Sequence, residues 1–144
     1  MSSVDLSKYN NSWYNPGSVI KRMLWYLTNA LFFQNPLCAC SSLKTLLLRL
    51  FGARVGKGVV VKPRVNIKYP WFLSIGNHTW IGEGVWIDNL TWVTIGSHVC
   101  LSQDALLLTG NHDYKSPTFD LLLGEITLED GVWIGARATI CPSV

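Results

Sequence analysis

From Val55 onward one aliphatic position recurs every six residues: Val55, Val61, Ile67; Ile75, Ile81, Ile87; Ile95, Leu101, Leu107; Leu128, Ile134, Ile140. A small or β-branched residue sits four places after most of them, as at Val59, Thr79, Val99 and Val132. Glycine often comes directly after the aliphatic, at Gly56, Gly76, Gly82, Gly96 and Gly135. A period of six fits neither the amphipathic helix nor the alternating strand. Three hexads make eighteen residues, yet the triplets start at Val55, Ile75, Ile95 and Leu128, so the insertions are two, two and fifteen residues. That regularity predicts an all-β solenoid, a parallel β-helix of hexapeptide repeats with triangular coils and every insertion at one corner. Each side of a coil is a short strand, stacked at ~4.8 Å on the next, with the aliphatics forming a continuous core. Glycine is expected to serve the tight bends.

Before Val55 the pattern changes. Pro16 to about Phe33 has apolar residues at helical spacing, Ile20, Met23, Leu24, Leu27 and Leu31, between a Pro16-Gly17 start and an Asn35-Pro36 stop. Leu43 to Phe51 repeats the spacing and ends at Gly52. The chain divides accordingly into a polar tail (1–15), a helical cap (16–54) over the open solenoid end, and a β-helix of about four coils (55–144) with a loop at 112–127. Trp25, Tyr26, Phe32 and Phe33, beside Lys21 and Arg22, offer an alternative use for the first helix, docking on a membrane surface. The apolar run Met23 to Phe33 is too short to span a bilayer. The polar start is unlike a secretory signal.

Composition narrows the classes. Hydrophobic content of 49% with only 15% charged residues excludes a disordered chain. A formal charge of +3, with no basic run longer than Lys21-Arg22, gives no footprint for nucleic acid. Cys38, Cys40, Cys100 and Cys141 form no CxxC pair, which points to free thiols in a reducing, cytoplasmic setting and to no zinc site. His78 and His98 each follow an inward aliphatic by three places, one coil apart, so they should stack at one corner as turn residues. His112 is different: it opens the long insertion, where a rigid scaffold carries an irregular segment. An imidazole there can take a proton from a hydroxyl, and Asp113 or Asp120 is near enough in sequence to orient it.

The stretches "WIGEGVWIDNLTWVTIGSHVCLSQDALLLTGNHDY", "DGVWIGARATI" and "YNPGSVIKRMLWYLTNALFF" together resemble the hexapeptide-repeat O-acetyltransferases with a left-handed β-helix, most closely those of colanic acid and exopolysaccharide biosynthesis. The resemblance implies a homotrimer with sites between subunits, acetyl-CoA as donor and a sugar hydroxyl as acceptor. It makes His112 the general base, with Asp113 beside it. It puts the Ala136 N–H in the oxyanion site, Gly135 against the pantetheine arm and Trp133 at the thioester end of the tunnel. Asn89, and less directly Asp88, would face the acceptor. Transfer would be direct, with no metal. Trp80, Trp86, Trp92 and Trp133 each precede an inward aliphatic and should point outward. Trp80, Cys100 and Trp133 are expected on one face, and Trp86 with Leu106 on another, wanting cover from a neighbour.

The sequence ends as a fourth coil closes, where the family carries further hexads, so C-terminal coils are expected to be missing. Two other classes therefore stay open: a non-catalytic trimeric scaffold or remnant, and a metal-dependent hydratase, which needs His78, His98 and His112 to converge. The acceptor expected from the resemblance is a cell-surface polysaccharide precursor, with a lipid-linked form and a peripheral position on the inner membrane face as open extensions.

Overall fold

The computed structural model of the chain describes residues 3–144. Fourteen strands and two α-helices, numbered in chain order, build a left-handed parallel β-helix with a helical cap. Side A stacks β1 (Arg54–Val55), β4 (Leu73–Ile75), β7 (Val93–Ile95) and β12 (Ile126–Leu128). Side B stacks β2 (Val60–Val61), β5 (Trp80–Ile81), β8 (Cys100–Leu101) and β13 (Trp133–Ile134). Side C stacks β3 (Asn66–Ile67), β6 (Trp86–Asp88), β9 (Leu106–Leu108) and β14 (Thr139–Ile140). The remaining pair, β10 (Gly110–His112) and β11 (Leu121–Leu123), forms an antiparallel hairpin.

The hexad register holds residue for residue. Val55, Ile75, Ile95 and Leu128 are paired in line on side A. Val61, Ile81, Leu101 and Ile134 line up on side B, and Ile67, Ile87, Leu107 and Ile140 on side C. These columns are the core, and most of them are fully buried. All three insertions fall at the corner between sides C and A, as the step lengths require.

The glycines act otherwise than expected. Gly56, Gly76 and Gly96 have no left-handed φ; a Cβ on Gly76 would meet the backbone of Gly96, one coil on, at 2.5 Å. Close approach of the coils, not bending, demands glycine there. The left-handed turn residues lie further on, at Gly58, His78, His98 and Gly131 at one corner and Arg64, Gly84, Asp104 and Arg137 at the next.

The cap closes the first coil by hydrogen bonding to its bare strand edge. In α1 (Val19–Thr28), capped by Ser18, Trp25 Nε1 donates to the Ile67 carbonyl at 2.8 Å. A π-helical turn, Asn29–Phe33, carries the chain on, and Asn29 bonds Asn66. From α2 (Ser41–Leu50), Ser41 Oγ accepts from the Val61 N–H, the buried Lys44 donates to Lys62 O at 2.9 Å, and Arg49 donates to Val55 O and Gly56 O. The backbone groups among them would otherwise be orphans of the sheet edge. The face α1 uses is a correction. Trp25 and Asn29, with Phe33 of the π turn, point inward, while Ile20, Met23, Leu24, Leu27 and Leu31 are all exposed. The aromatics expected to dock outward include two, Trp25 and Phe33, that are core.

Candidate active site

His112 stands in β10, opposite Leu121, in the last ladder pair before the loop of the hairpin that fills the long insertion. Its Nδ1 lies 3.0 Å from the Phe119 carbonyl oxygen. A carbonyl can only accept, so Nδ1 carries the proton and Nε2 keeps a free lone pair. The Phe119 ring stacks on the imidazole at 4.3 Å and 6°, and Tyr9 meets it edge-on at 5.6 Å and 64°. Phe119 itself has φ +51°, a left-handed value that a bulky side chain adopts only under constraint. The ring is thus held by a backbone carbonyl and two aromatic neighbours.

Among the described residues no carboxylate bonds the ring. The Asp113 side chain accepts from the Lys115 N–H at 2.9 Å and caps the turn, a role short acidic side chains fill well. Asp120 accepts from the Ser116 and Thr118 hydroxyls, which hold its carboxyl below the usual range. The Asp113 carboxylate thus serves the hairpin turn and makes no hydrogen bond to the His112 ring.

The tail expected to be merely polar is a strap along this corner. Asp5 N–H donates to Pro117 O at 2.9 Å, Tyr9 packs on His112, the Tyr14 hydroxyl donates to Leu90 O at 2.6 Å, and Trp71 donates to Pro16 O. Burial, with Tyr69 and Asp88 nearby, pushes the Tyr14 phenol well up. Nothing in the sequence signals Tyr9, which lies a hundred residues from the histidine it supports.

Asn89 is a second correction. It is fully buried, and its amide donates to Tyr69 O at 2.6 Å and Phe72 O at 3.2 Å while accepting from the Tyr69 N–H at 3.0 Å. Both amide hydrogens are spent on the turn one coil away and the side chain is fully buried, so it does not face an acceptor. Asp88 differs. It ends β6 in register with Leu108, four residues before His112, and its carboxylate accepts no hydrogen bond among the described residues. Burial raises its pKa, opposed by Lys68. A raised carboxyl pKa gives stability that is full at acid pH and is lost as pH rises through the folded-state value. Asp88→Asn is therefore expected to raise Tm at pH about 7 and to lose that advantage near pH about 3. An activity that falls while stability rises would mark a residue kept for the acceptor; melts at both pH values and one rate assay decide it.

Trp133 ends the outward ladder of side B, in register with Cys100 and Trp80, and Trp86 pairs with Leu106 on side C, both as expected. Trp133 is 76% exposed, with its indole N–H on Ser102 Oγ at 2.8 Å. It lines a shallow groove of about 560 Å³ with Trp80, Cys100, Ser102 and Lys62. Ala136 is exposed at the corner between sides B and C, and a Cβ on Gly135 would meet nothing within 4 Å. Ala136 thus enters side C whereas His112 leaves it. Within one chain the full width of side C separates them.

His78 and His98 stack at 5.4 Å and 21° at the corner between sides A and B, away from His112. Among the described residues no three His, Cys, Asp or Glu side chains are grouped to hold a metal.

Comparison with known proteins adds the following. No family model matches the chain. WcaF of Escherichia coli (strain K12), assigned as a colanic acid biosynthesis acetyltransferase, is 36% identical over 131 residues, which cover 91% of this chain and 72% of WcaF. Nodulation protein L of Rhizobium meliloti is 31% identical over 102 residues, covering 69% of this chain and 56% of its own. A crystal structure of a hexapeptide-repeat acetyltransferase from Vibrio cholerae superposes with a TM-score of 0.65 at 24% identity, covering 88% of this chain and 81% of that one. The complex of that protein with acetyl-coenzyme A gives 0.65 at 19% identity, covering 87% and 76%. At these identities the superpositions speak for the fold.

Proposed function

The chain belongs to the hexapeptide-repeat acetyltransferases of the WcaF kind, and from that membership we propose that it moves an acetyl group from acetyl-CoA to a sugar hydroxyl. The observation that carries the reading is the His112 ring, held through Nδ1 by the Phe119 carbonyl so that Nε2 keeps its lone pair as a base. In the proposed reaction Nε2 removes the hydroxyl proton as the oxygen attacks the thioester carbonyl. The C–O bond forms, the C–S bond breaks, and the proton passes from His112 to the departing thiolate. Charge developing on the carbonyl oxygen is met by the Ala136 N–H. No covalent acyl-enzyme is required; bringing both substrates together supplies much of the acceleration.

The groove on side B suits the donor. Its Trp80, Cys100 and Trp133 walls are apolar enough for an extended pantetheine arm, and Gly135 leaves the backbone open to close approach. His112 and Ala136 stand at opposite ends of side C, so the proposed site forms between two subunits of a closed threefold ring. Asp88 is the candidate for contact with the acceptor, a cell-surface polysaccharide precursor handled on the cytoplasmic side. Calorimetry with acetyl-CoA, followed by CoA release in the presence of saccharide acceptors, tests the reading. Micromolar donor binding and acceptor-dependent release are expected; a folded protein that binds no donor would reduce the chain to a scaffold.

A further inference from the structure

The exposed face of α1 has no partner among the described residues. Ile20, Met23, Leu24, Leu27 and Leu31 form one stripe down the helix and its π turn, each between 55% and 73% exposed. Leu37, at 90%, and Leu50 of α2 extend the apolar surface over the same cap. A soluble surface rarely leaves so many large side chains together in water without a use. On the opposite face Trp25 and Asn29 bond the β-helix, which fixes the outward orientation of the stripe, while Met23 and Leu27 also edge an open groove towards Ile67 and Trp86.

Charge says what kind of surface the stripe meets. Ten of the twelve basic residues lie between Lys8 and Lys68, and no acidic residue lies between Asp5 and Glu83. The chain's formal +3 hides this division: eight of the nine acids follow Lys68, with only Lys115 and Arg137 to balance them. Five of the bases, Arg54, Lys57, Lys62, Arg64 and Lys68, are exposed around the first coil, on all three sides of the solenoid. An apolar helix face beside a belt of positive charge is the arrangement of a protein seated on an anionic bilayer. A second copy of the same cap would set one positive belt against another. No described helix is long and apolar enough to cross the membrane, so the contact is interfacial.

We propose that the helical cap is a membrane-docking surface: the α1 stripe enters the lipid interface and the first-coil bases hold anionic headgroups. The proposal stands on one chain. In the threefold ring of the proposed function it would be tripled, since cyclic symmetry puts three caps at one height on one face. It would also hold the catalytic corners beside the membrane, within reach of an acceptor on a lipid.

The test is flotation with vesicles of phosphatidylcholine containing about one-third phosphatidylglycerol, against pure phosphatidylcholine, for the full chain and for Leu24→Gln/Leu27→Gln. Both side chains are exposed, so the fold is expected to survive, which circular dichroism confirms. Expected are binding to the anionic vesicles, a fall of about tenfold or more for the double variant, and a similar fall at high salt. Acetyl transfer to a water-soluble acceptor should be unchanged, which separates this proposal from the assignment of the reaction. No binding to anionic vesicles would overturn it. So would a double variant whose oligomer falls apart by light scattering, because the stripe would then be a contact between subunits.

Discussion

Replacing His112 with Ala is expected to lower kcat/KM by roughly 10²–10⁴-fold, the usual worth of a positioned general base. Acetyl-CoA affinity, oligomeric state and melting behaviour should stay near those of the parent. The ring sits on the outer hairpin and is half-buried, and its one hydrogen bond is to the Phe119 carbonyl. Losing it leaves that oxygen free at a partly open site, so the structural cost is small. In the proposed centre His112 meets the donor only at its thioester, so the side B groove that holds the pantetheine arm should change little. CoA release at saturating acceptor, with parallel calorimetry, reads both quantities. A variant within about threefold of the parent rate would remove His112 as the base. A variant that also loses donor binding would place the imidazole against the donor instead.

How much of this was legible in the sequence depended on whether a residue's partners recur. The core columns repeat every coil, so Val55, Ile75, Ile95 and Leu128 announce their own register, and the step lengths announce the corner where His112 lies. The outward ladder of Trp80, Cys100 and Trp133 follows from the same arithmetic. The residues that were misread answer to contacts made once. Asn89 is taken by a short turn at Tyr69–Phe72 that no repeat encodes. The Asp113 carboxylate prefers its own turn to the neighbouring imidazole. Tyr9 reaches His112 only because the strap runs back along the corner. On α1 the apolar spacing was real, but periodicity cannot say which face of a helix is inward when both carry apolar groups. Trp25 and Phe33 won because their rings fill the open solenoid end and Trp25 Nε1 also satisfies a bare carbonyl.

The Ala136 N–H can be removed with the fold's own precedent as a guide. Pro63 occupies in the first coil the position that Glu83, Gln103 and Ala136 occupy in the next three, each just before a left-handed turn residue. Its carbonyl accepts from Gly84 N–H as Gln103 O accepts from Arg137 N–H. Proline at the second place of such a turn is favoured, so Ala136→Pro should fold and stay assembled. It deletes the proposed oxyanion donor and is expected to lower kcat by roughly 10²–10³-fold. If donor affinity fell while kcat held, the N–H would be a binding contact and not an oxyanion donor. Mixing decides where the site lies. His112 and Ala136 belong to opposite ends of side C, so the proposed centre would take the hairpin of one subunit and the corner of its neighbour. Inactive His112→Ala and inactive Ala136→Pro chains, unfolded and reassembled together in equal amounts, should then form about one intact centre in four in a random threefold ring. Recovery of that fraction of the parent rate fixes the centre between subunits. No recovery from properly mixed rings would mean that the two residues never serve one centre.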